Sequence, residues 1–436
     1  MAVSALAVQE ALADIAGREH CRGDRPGLAR YAVDGMTPSV VVRPGSVEEV
    51  SRVVALCATE RLAVMPCGAG TSLALGNPPR RLEVGLDLSR LGAVRDYVPD
   101  DMVATVEAGA TLAALAAHFG PRGQMLTLDP PGGGARSVGG VLATHASGPL
   151  RFRYGTGRDL LLGARFVQAD GTVTWGGAKV VKSVTGYDVP KLLVGSLGTL
   201  GVLVEATLRL HPIPPASRSW QLGFRSREAA GAFLASLLDS PLEPDRAALL
   251  DAAALRRARL TPDPIALLLS ISSAPEAVEH QGQALARLAA GHAGGSEAVA
   301  DASWVALGAA VDGPILLRAA GEPRRLLYWA GEARAAAERA GVELAIVAQP
   351  GHGVLQLSIS DARDAGPVAE HLILPLRRAL EAEDGSLVVE RAPVELKQIC
   401  DVWGDIHPEI LAIMRRIKAQ LDPDGVLNPG RFVGGL

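Results

Sequence analysis

An α+β fold in two unlike parts is predicted by three features of the 436-residue sequence. From Ser39 to about Pro215, short apolar runs alternate with glycine-rich turns, the pattern of a sheet domain with tight connections. After His211-Pro-Ile-Pro-Pro215 the composition shifts to Ala, Leu and Arg, and strand and helix patterns alternate to about Arg391. Apolar residues make up 48% and aromatics only 4%, so the core is filled mainly by Ala, Val and Leu. The chain is long enough for two or three domains. The expected division is an N-terminal helical segment over 1–38, a sheet-rich domain over 39–215, an α+β cap over 216–395 and a C-terminal segment over 396–436.

Each element follows from local pattern. MAVSALAVQEALADIAGREH carries Glu10 and Asp14 inside its apolar stretch and lacks a basic leader with a cleavage site, so it reads as an amphipathic helix and not as a signal. Ser46-Val-Glu-Glu49 is a capping box opening a helix to about Glu60, and Leu62 to Met65 is then a strand. Further strands are expected at Leu82 to Asp87, Met102 to Glu107, Leu161 to Val167 and Thr172 to Trp175, the last two joined by an Asp170-Gly171 hairpin signal. Gly120 to Gly134 is a Pro/Gly-rich loop, long enough to be functional. In the second part, strands such as Ile265 to Ser272 and Ile315 to Arg318 alternate with helices such as Arg324 to Ala340, which suggests a ferredoxin-like α+β cap. The tail is a helix containing LAIMRRIKAQLDP followed by the loop DGVLNPGRF.

Charge and cysteine usage exclude several functions. With 43 basic and 47 acidic residues the net charge is −4, no footprint for nucleic acid. Cys21, Cys57, Cys67 and Cys400 form no C-x-x-C pair, so neither an iron–sulfur cluster nor a structural zinc is supported. No apolar run reaches the roughly 20 residues of a membrane span. The expected location is cytoplasmic, with peripheral docking at the inner face of a membrane left open.

MPCGAGTSLALG follows a strand with small residues, so the N–H groups of Gly68, Ala69, Gly70, Thr71 and Ser72 can converge on a phosphate. It is not a dinucleotide fingerprint, because Leu73 stands at the third glycine of G-x-G-x-x-G, and no Gly-Lys-Ser/Thr follows to make a Walker loop. A plain tight turn is the alternative. Two further segments add weight: PPGGGARSVGGVLATHASGPLRFRYGTGRDLLLGARFVQADGTV from Pro130 and VVKSVTGYDVPKLLVGSLGTLGVLVEATLRL from Val180.

Together these three segments closely resemble the FAD-binding domain of the vanillyl-alcohol oxidase superfamily, over about Ser39 to Pro215 and again in DPDGVLNPGRF. The resemblance implies a PCMH-type two-subdomain FAD-binding domain with a ferredoxin-like α+β cap domain. It also assigns a role to each segment. Pro66 and the first loop would hold the pyrophosphate. Pro131, Gly132, Ser137, Gly139, Gly140, Ser147 and Gly148 would add contacts to pyrophosphate and isoalloxazine, Gly201 and Val202 would meet the flavin pyrimidine, and Asn428 would face the ring edge. Some members attach flavin covalently through a histidine in the first loop; Thr71 stands there, so the FAD is expected to be noncovalent.

Within the superfamily, GQMLTLDPP, SGPLRFRYGTGRDLLLG, KVVKSVTGYD and LDPDGVLNPGRF look most like the second flavin subunit of bacterial glycolate oxidases. Such subunits work beside a sister flavin subunit and an iron–sulfur subunit, the partners expected here, with a small 2-hydroxy acid as substrate. Relatives that oxidise D-2-hydroxy acids carry H-x-G-D-G-N-L-H on a cap hairpin and G-E-H-G on a later strand, which together supply a metal site and a base. Gln349-Pro-Gly-His-Gly-Val-Leu-Gln356 aligns with the first, with glutamine at both metal-binding histidines, and Val389-Glu-Arg-Ala392 with the second. Glu390 remains, but Arg391 stands where the base would be. Amides and a guanidinium make a poor divalent site, and a guanidinium accepts no proton near neutral pH, so no metal is expected.

Arg391 can anchor a carboxylate or pair with Glu390 or another acid nearby. His352 is a catalytic candidate or a solvated turn histidine, while Lys182 and Tyr187 either donate to flavin and substrate or are a surface lysine and a core tyrosine. Arg151 and Arg153 contact cofactor phosphate or lie on a solvated loop, and Asp188 reads as a helix cap. Three functions stay open: a flavin subunit of a glycolate-oxidase-like complex, a self-sufficient metal-independent flavin oxidase, and a subunit that holds FAD as a structural element.

Overall fold

The computed structural model describes residues 5–178, 186–292, 295–361 and 365–436. The flavin-like half holds two sheets. The first orders its strands Cys21–Arg22, Val40–Val42, Val84–Asp87 and Val64–Cys67, and the last three pair in parallel. Parallel strands need coverage on both faces, which is why Val40–Val42 is an unbroken, fully buried valine run. The crossover helix Val47–Thr59 buries Val47, Val50, Val53, Val54 and Cys57, the spacing of one helical face. Ser46 caps it by accepting from the Glu49 N–H at 3.1 Å, while the Glu49 carboxylate accepts from the Gly45 N–H at 2.7 Å.

The second sheet is antiparallel, in the order Val94–Val98, Val103–Glu107, Val202–Arg209, Leu161–Val167, Val173–Gly177. Several strands start one or two residues later than sequence predicts. Arg61 is left-handed at φ +55 and the Leu62 N–H bonds the Cys57 carbonyl at 2.8 Å, so residues 61 and 62 close the preceding helix and the strand opens at Val64. Met102 likewise lies in a left-handed turn at φ +52.

The cap is an eight-stranded sheet spanning Ala216–Phe224 to Ser386–Arg391, and it is built from two ferredoxin-like units. The first four strands, Ala216–Phe224, Arg246–Asp251, Ile265–Ser273 and Gly295–Val299, lie in the order second, third, first, fourth. The next four, Ile315–Ala320, Leu344–Gln349, Val354–Ile359 and Ser386–Arg391, repeat that order. The two units meet edge to edge through their second strands, with Leu249 opposite Ala348. Phe224, Phe233, Trp220 and Trp329 fill the core beneath this joint sheet.

Helix Pro408–Leu421 carries the chain back to the flavin half, where the buried Lys418 ammonium donates to the carbonyls of Thr199 at 2.7 Å and Leu427 at 3.0 Å. Leu427 then bridges in parallel to Val64, so the tail completes the edge of the first sheet. Among the described residues no helix is long and apolar enough to cross a membrane.

Candidate functional site

Two adjoining cavities form the site. The first, about 820 Å³, lies between the two flavin-side sheets and is lined by Pro66, Gly68, Ala69, Gly70, Thr71, Ser72, Ser137, Gly139, Gly140, Gly201 and Asn428. The backbone of its walls packs so closely on adjoining segments that added side chains would collide. A Cβ at Gly68 would lie 2.0 Å from Ser137 Oγ, one at Gly139 2.8 Å from Ala108 Cβ, and one at Gly201 2.9 Å from the Phe166 ring. Gly70 sits at φ +73, with only the Leu73 side chain 3.8 Å from where a Cβ would lie, so the chain turns there without a side chain entering the cleft. Backbone lined this way fits a long dinucleotide cofactor.

Other sequence candidates fall elsewhere, each for a visible reason. Val202 is buried inside the second sheet, paired with Val167, and lines neither cavity, so only its backbone, next to Gly201, stands near the cleft. Gly148 packs on its own support, a Cβ there lying 1.8 Å from the Asp129 carbonyl, so its glycine serves packing. Pro131, Gly132 and Ser147 line the second cavity instead of the first. Asn428 donates its amide to the Leu197 carbonyl at 2.8 Å, so its buried Nδ2 holds the loop opposite.

The second cavity, about 1770 Å³, lies between the flavin half and the cap and shares Thr71, Ser72, Leu75 and Thr144 with the first. Its cap wall carries Arg318, Gln349, His352, Gln356, Glu390 and Arg391; its flavin wall carries Arg136, His145 and Arg151. Arg318 stands directly across from Gln356 in the ladder, so both point to one face. Neighbouring residues 390 and 391 both reach the cavity because the ladder slips there: Leu316 opposes Arg391 and Leu317 opposes Val389, leaving Glu390 as the extra residue of a bulge.

Glu390 pairs with Arg318 at 2.7 Å, not with Arg391. Arg391 instead donates to Asp312 at 2.9 Å and to the Gly313 carbonyl at 3.1 Å. Arg136 donates to the Pro131 carbonyl at 2.8 Å and to Ser72 Oγ, while Arg151 donates to Ser147 Oγ at 3.2 Å; among the described residues neither has a carboxylate partner in an ion pair, and each keeps a buried, unpartnered Nε. Burial lowers the basicity of both guanidiniums, but not enough to deprotonate them. The cavity is thus cationic, fit for a carboxylate.

His352 is half-buried against Phe152, its Nδ1 closed off without a partner, so it is not the solvated turn residue that the sequence allows. Tyr187 is 95% exposed and lines neither cavity, which contradicts both the catalytic and the core reading. Lys182 lies outside the described residues. Arg153 pairs with Glu243 at 3.9 Å on the surface, and Asp188 caps its helix by accepting from the Lys191 N–H. Among the described residues no three His, Cys, Asp or Glu side chains converge on a point.

Sequence reasoning missed Arg136, His145, Arg318, Lys397 and Arg431. All but Lys397 lie within or beside quoted segments, but nothing in spacing shows which side chains turn to a cavity formed between two halves. Arg431 and Lys397 are buried and share Asp34, at 3.4 and 2.8 Å.

A model of the FAD binding domain matches residues 38–177, and one of the C-terminal domain of FAD linked oxidases matches 404–432. D-2-hydroxyglutarate dehydrogenase of Xanthomonas citri pv. viticola is 30% identical over 427 residues, 91% of this chain and 89% of that one. The chain belongs to this family of FAD-linked oxidases and dehydrogenases. Other members include the mitochondrial D-lactate dehydrogenase [cytochrome] of Arabidopsis thaliana, 28% identical over 91% of this chain and 73% of its own length. Glycolate oxidase subunit GlcD of Bacillus subtilis is 27% identical, over 56% of this chain and 53% of its own. In fold, the chain matches p-cresol methylhydroxylase with TM-score 0.79 at 16% identity, covering 97% of this chain and 96% of that one. The 4-ethylphenol oxidase of Gulosibacter chungangensis gives 0.75 at 17%, with the same coverage. The protein is an FAD-dependent oxidoreductase of the 2-hydroxy-acid dehydrogenase and oxidase kind, acting on CH–OH groups.

Proposed function

We propose that this family member is a cytoplasmic flavin subunit of a glycolate-oxidase-like complex. It oxidises a small 2-hydroxy acid without a divalent metal and passes the electrons through FAD to a sister flavin subunit and an iron–sulfur subunit. The observation that carries the reading is the cationic cavity beside the glycine-lined cleft, with Gln349 and Gln356 on its cap wall. Bound FAD supplies the two-electron acceptor. Arg136 and Arg151, lacking acid partners, take the substrate carboxylate, while the cap wall bounds the cavity on the opposite side. Glu390 is engaged by Arg318, and the remaining donors are amides and guanidiniums, a set that does not fit a catalytic divalent ion. The electron partners follow from the scarcity of cysteine, since Cys21, Cys57, Cys67 and Cys400 are all buried and dispersed.

The test is anaerobic mixing of the purified, FAD-loaded chain with glycolate, D-lactate and D-2-hydroxyglutarate, followed by co-expression with a sister flavin subunit and an iron–sulfur subunit. Bleaching of the flavin together with co-purification supports the reading. Fast turnover of the isolated chain with oxygen and release of peroxide would establish a self-sufficient oxidase instead.

A further inference from the structure

The oxidation needs a base for the hydroxyl proton, and Arg391 occupies the position expected of one. The other titratable groups on the cavity wall narrow the choice. Asp312 and Glu390 are engaged by Arg391 and Arg318, and guanidiniums do not accept protons. Two histidines remain. His352 has its Nδ1 buried without a partner and its ring tied by a hydrogen bond to the Pro350 backbone. His145 follows Thr144, a residue shared by both cavities, and lines the second on its flavin side.

The hydrogen bonds around His145 fix its tautomer. Asp159 accepts from the Thr156 N–H at 2.7 Å and from Thr156 Oγ at 2.9 Å. Burial would raise the Asp159 carboxyl, but the two Thr156 bonds outweigh it and hold it below the usual range, so near neutral pH it is an ion that only accepts. The Thr156 hydroxyl therefore donates to Asp159, and its oxygen accepts from His145 Nε2 at 3.1 Å. Nε2 carries the proton, which leaves the lone pair on Nδ1. The ring is held from below as well: His145 is the left-handed cap of helix Val138–Thr144, at φ +51, and its N–H bonds the carbonyls of Leu142 and Val141. This is the layout of a base oriented by a second group and that group by a third.

We propose that His145 is the general base of the hydroxy-acid oxidation, with Thr156 and Asp159 as positioning residues; the assignment rests on the function proposed above. The substrate O–H proton passes to His145 Nδ1, the hydrogen on the same carbon leaves with its electron pair for FAD, and the C–O bond becomes the carbonyl of a 2-oxo acid. Two electrons and one proton reach the flavin-linked acceptor chain, and one proton stays on the imidazole until solvent takes it.

Charges around the ring favour its neutral form. Burial lowers the His145 titration, and Arg318 from the cap with Arg151 and Arg158 from the adjoining helices lower it further, against the opposing pull of Asp159. The base is consequently unprotonated at neutral pH.

The test uses the FAD-loaded full chain and three variants. His145→Asn tolerates the left-handed conformation and should keep its flavin, yet slow flavin reduction by substrate about 10²–10⁴-fold and abolish the acid limb of the pH profile. Thr156→Val should give a smaller loss, and the loss in His352→Asn should stay well below that in His145→Asn. A readout independent of turnover is the His145 ring resonance: it should titrate below an ordinary imidazole and move up when oxalate, a substrate-sized dianion, is bound. Undiminished reduction by His145→Asn, or loss centred on His352→Asn, would overturn the assignment. If no 2-hydroxy acid reduces the parent flavin, the functional reading fails by itself; movement of the His145 resonance with oxalate would still place the ring at the anion site, and a resonance indifferent to oxalate would sink this inference too.

Discussion

Removing one buried carboxylate should loosen the phosphate loop from a distance. Asp34 is 6% exposed and accepts from Lys397 Nζ at 2.8 and 2.9 Å and from Arg431 Nη1 at 3.4 Å, both cations being almost fully enclosed. Lys397 also donates to the carbonyls of Ala74 and Gly76, and Arg431 to those of Leu73, Leu75 and Asn77, so the two cations hold the loop that follows Gly70. Asp34→Ala leaves two like charges side by side with only carbonyl dipoles for company. Breaking a buried pair by deleting one partner costs about 3–5 kcal/mol, because the remaining charge is uncompensated. Burial already lowers the Lys397 titration, so loss of its proton relieves part of that cost, and the effect should grow as pH falls. Urea unfolding at pH 7, followed by flavin fluorescence, should show a loss of that order and faster FAD release. Asp34→Ala with Lys397→Met, which removes one of the stranded cations, should recover part of it. A single variant within about 1 kcal/mol of the parent, or a double variant no better than the single, would refute the account of Asp34 as the neutralising centre.

Acid precipitation should release all FAD into the supernatant, since Thr71 forms no flavin bond, and Gly70→Asp should abolish FAD retention by placing a carboxylate and a strained φ of +73 at the cleft; absorbance of the supernatant at the flavin band measures both. Burial pushes the Asp129 carboxyl up to about 7, against hydrogen bonds from Leu150 and Gly148. An acid raised on folding is protonated in the native state where the unfolded chain is ionised, so stability should fall between about pH 4 and 7 by roughly 1.4 kcal/mol per unit. Asp129→Asn should flatten that slope in a pH series of denaturation curves and be more stable than the parent at pH 8. Dialysis against a strong chelator should leave the rate of flavin reduction unchanged, and elemental analysis finding about one zinc or manganese per chain, lost in Glu390→Ala, would contradict the metal-free cavity.

Much of the flavin cleft was readable because backbone makes it: glycines at 68, 70, 139, 140 and 201 announce where chain must approach ligand, whatever the distant fold does. The second cavity was far less readable. Its cap wall comes from strands far downstream of the flavin-side segments, and the reach of Glu390 and Arg391 to one space depends on a bulge that alternation alone would deny. Arg391 was expected to pair with Glu390 or another acid nearby, and the slipped register decides between them, sending Glu390 to Arg318 and Arg391 to Asp312. The cap's doubling was hidden as well, since the two units share strand order and not an evident sequence repeat.

The strand bridge from Leu427 to Val64 bears on how the polypeptide assembles during synthesis. Each cap unit closes on neighbours nearby in sequence and can form as it emerges. The outer edge of the first flavin sheet cannot, because Val64 exchanges backbone bonds with Val426 and Asn428, some 360 positions later. The early-made half therefore waits, edge unpaired, while the later-made cap matures, and cofactor capture marks the moment when the downstream segment docks. A ribosome stalled between the cap and residue 426 would carry a finished cap beside a flavin half that holds no FAD, which makes bound flavin a natural indicator that the edge has been sealed.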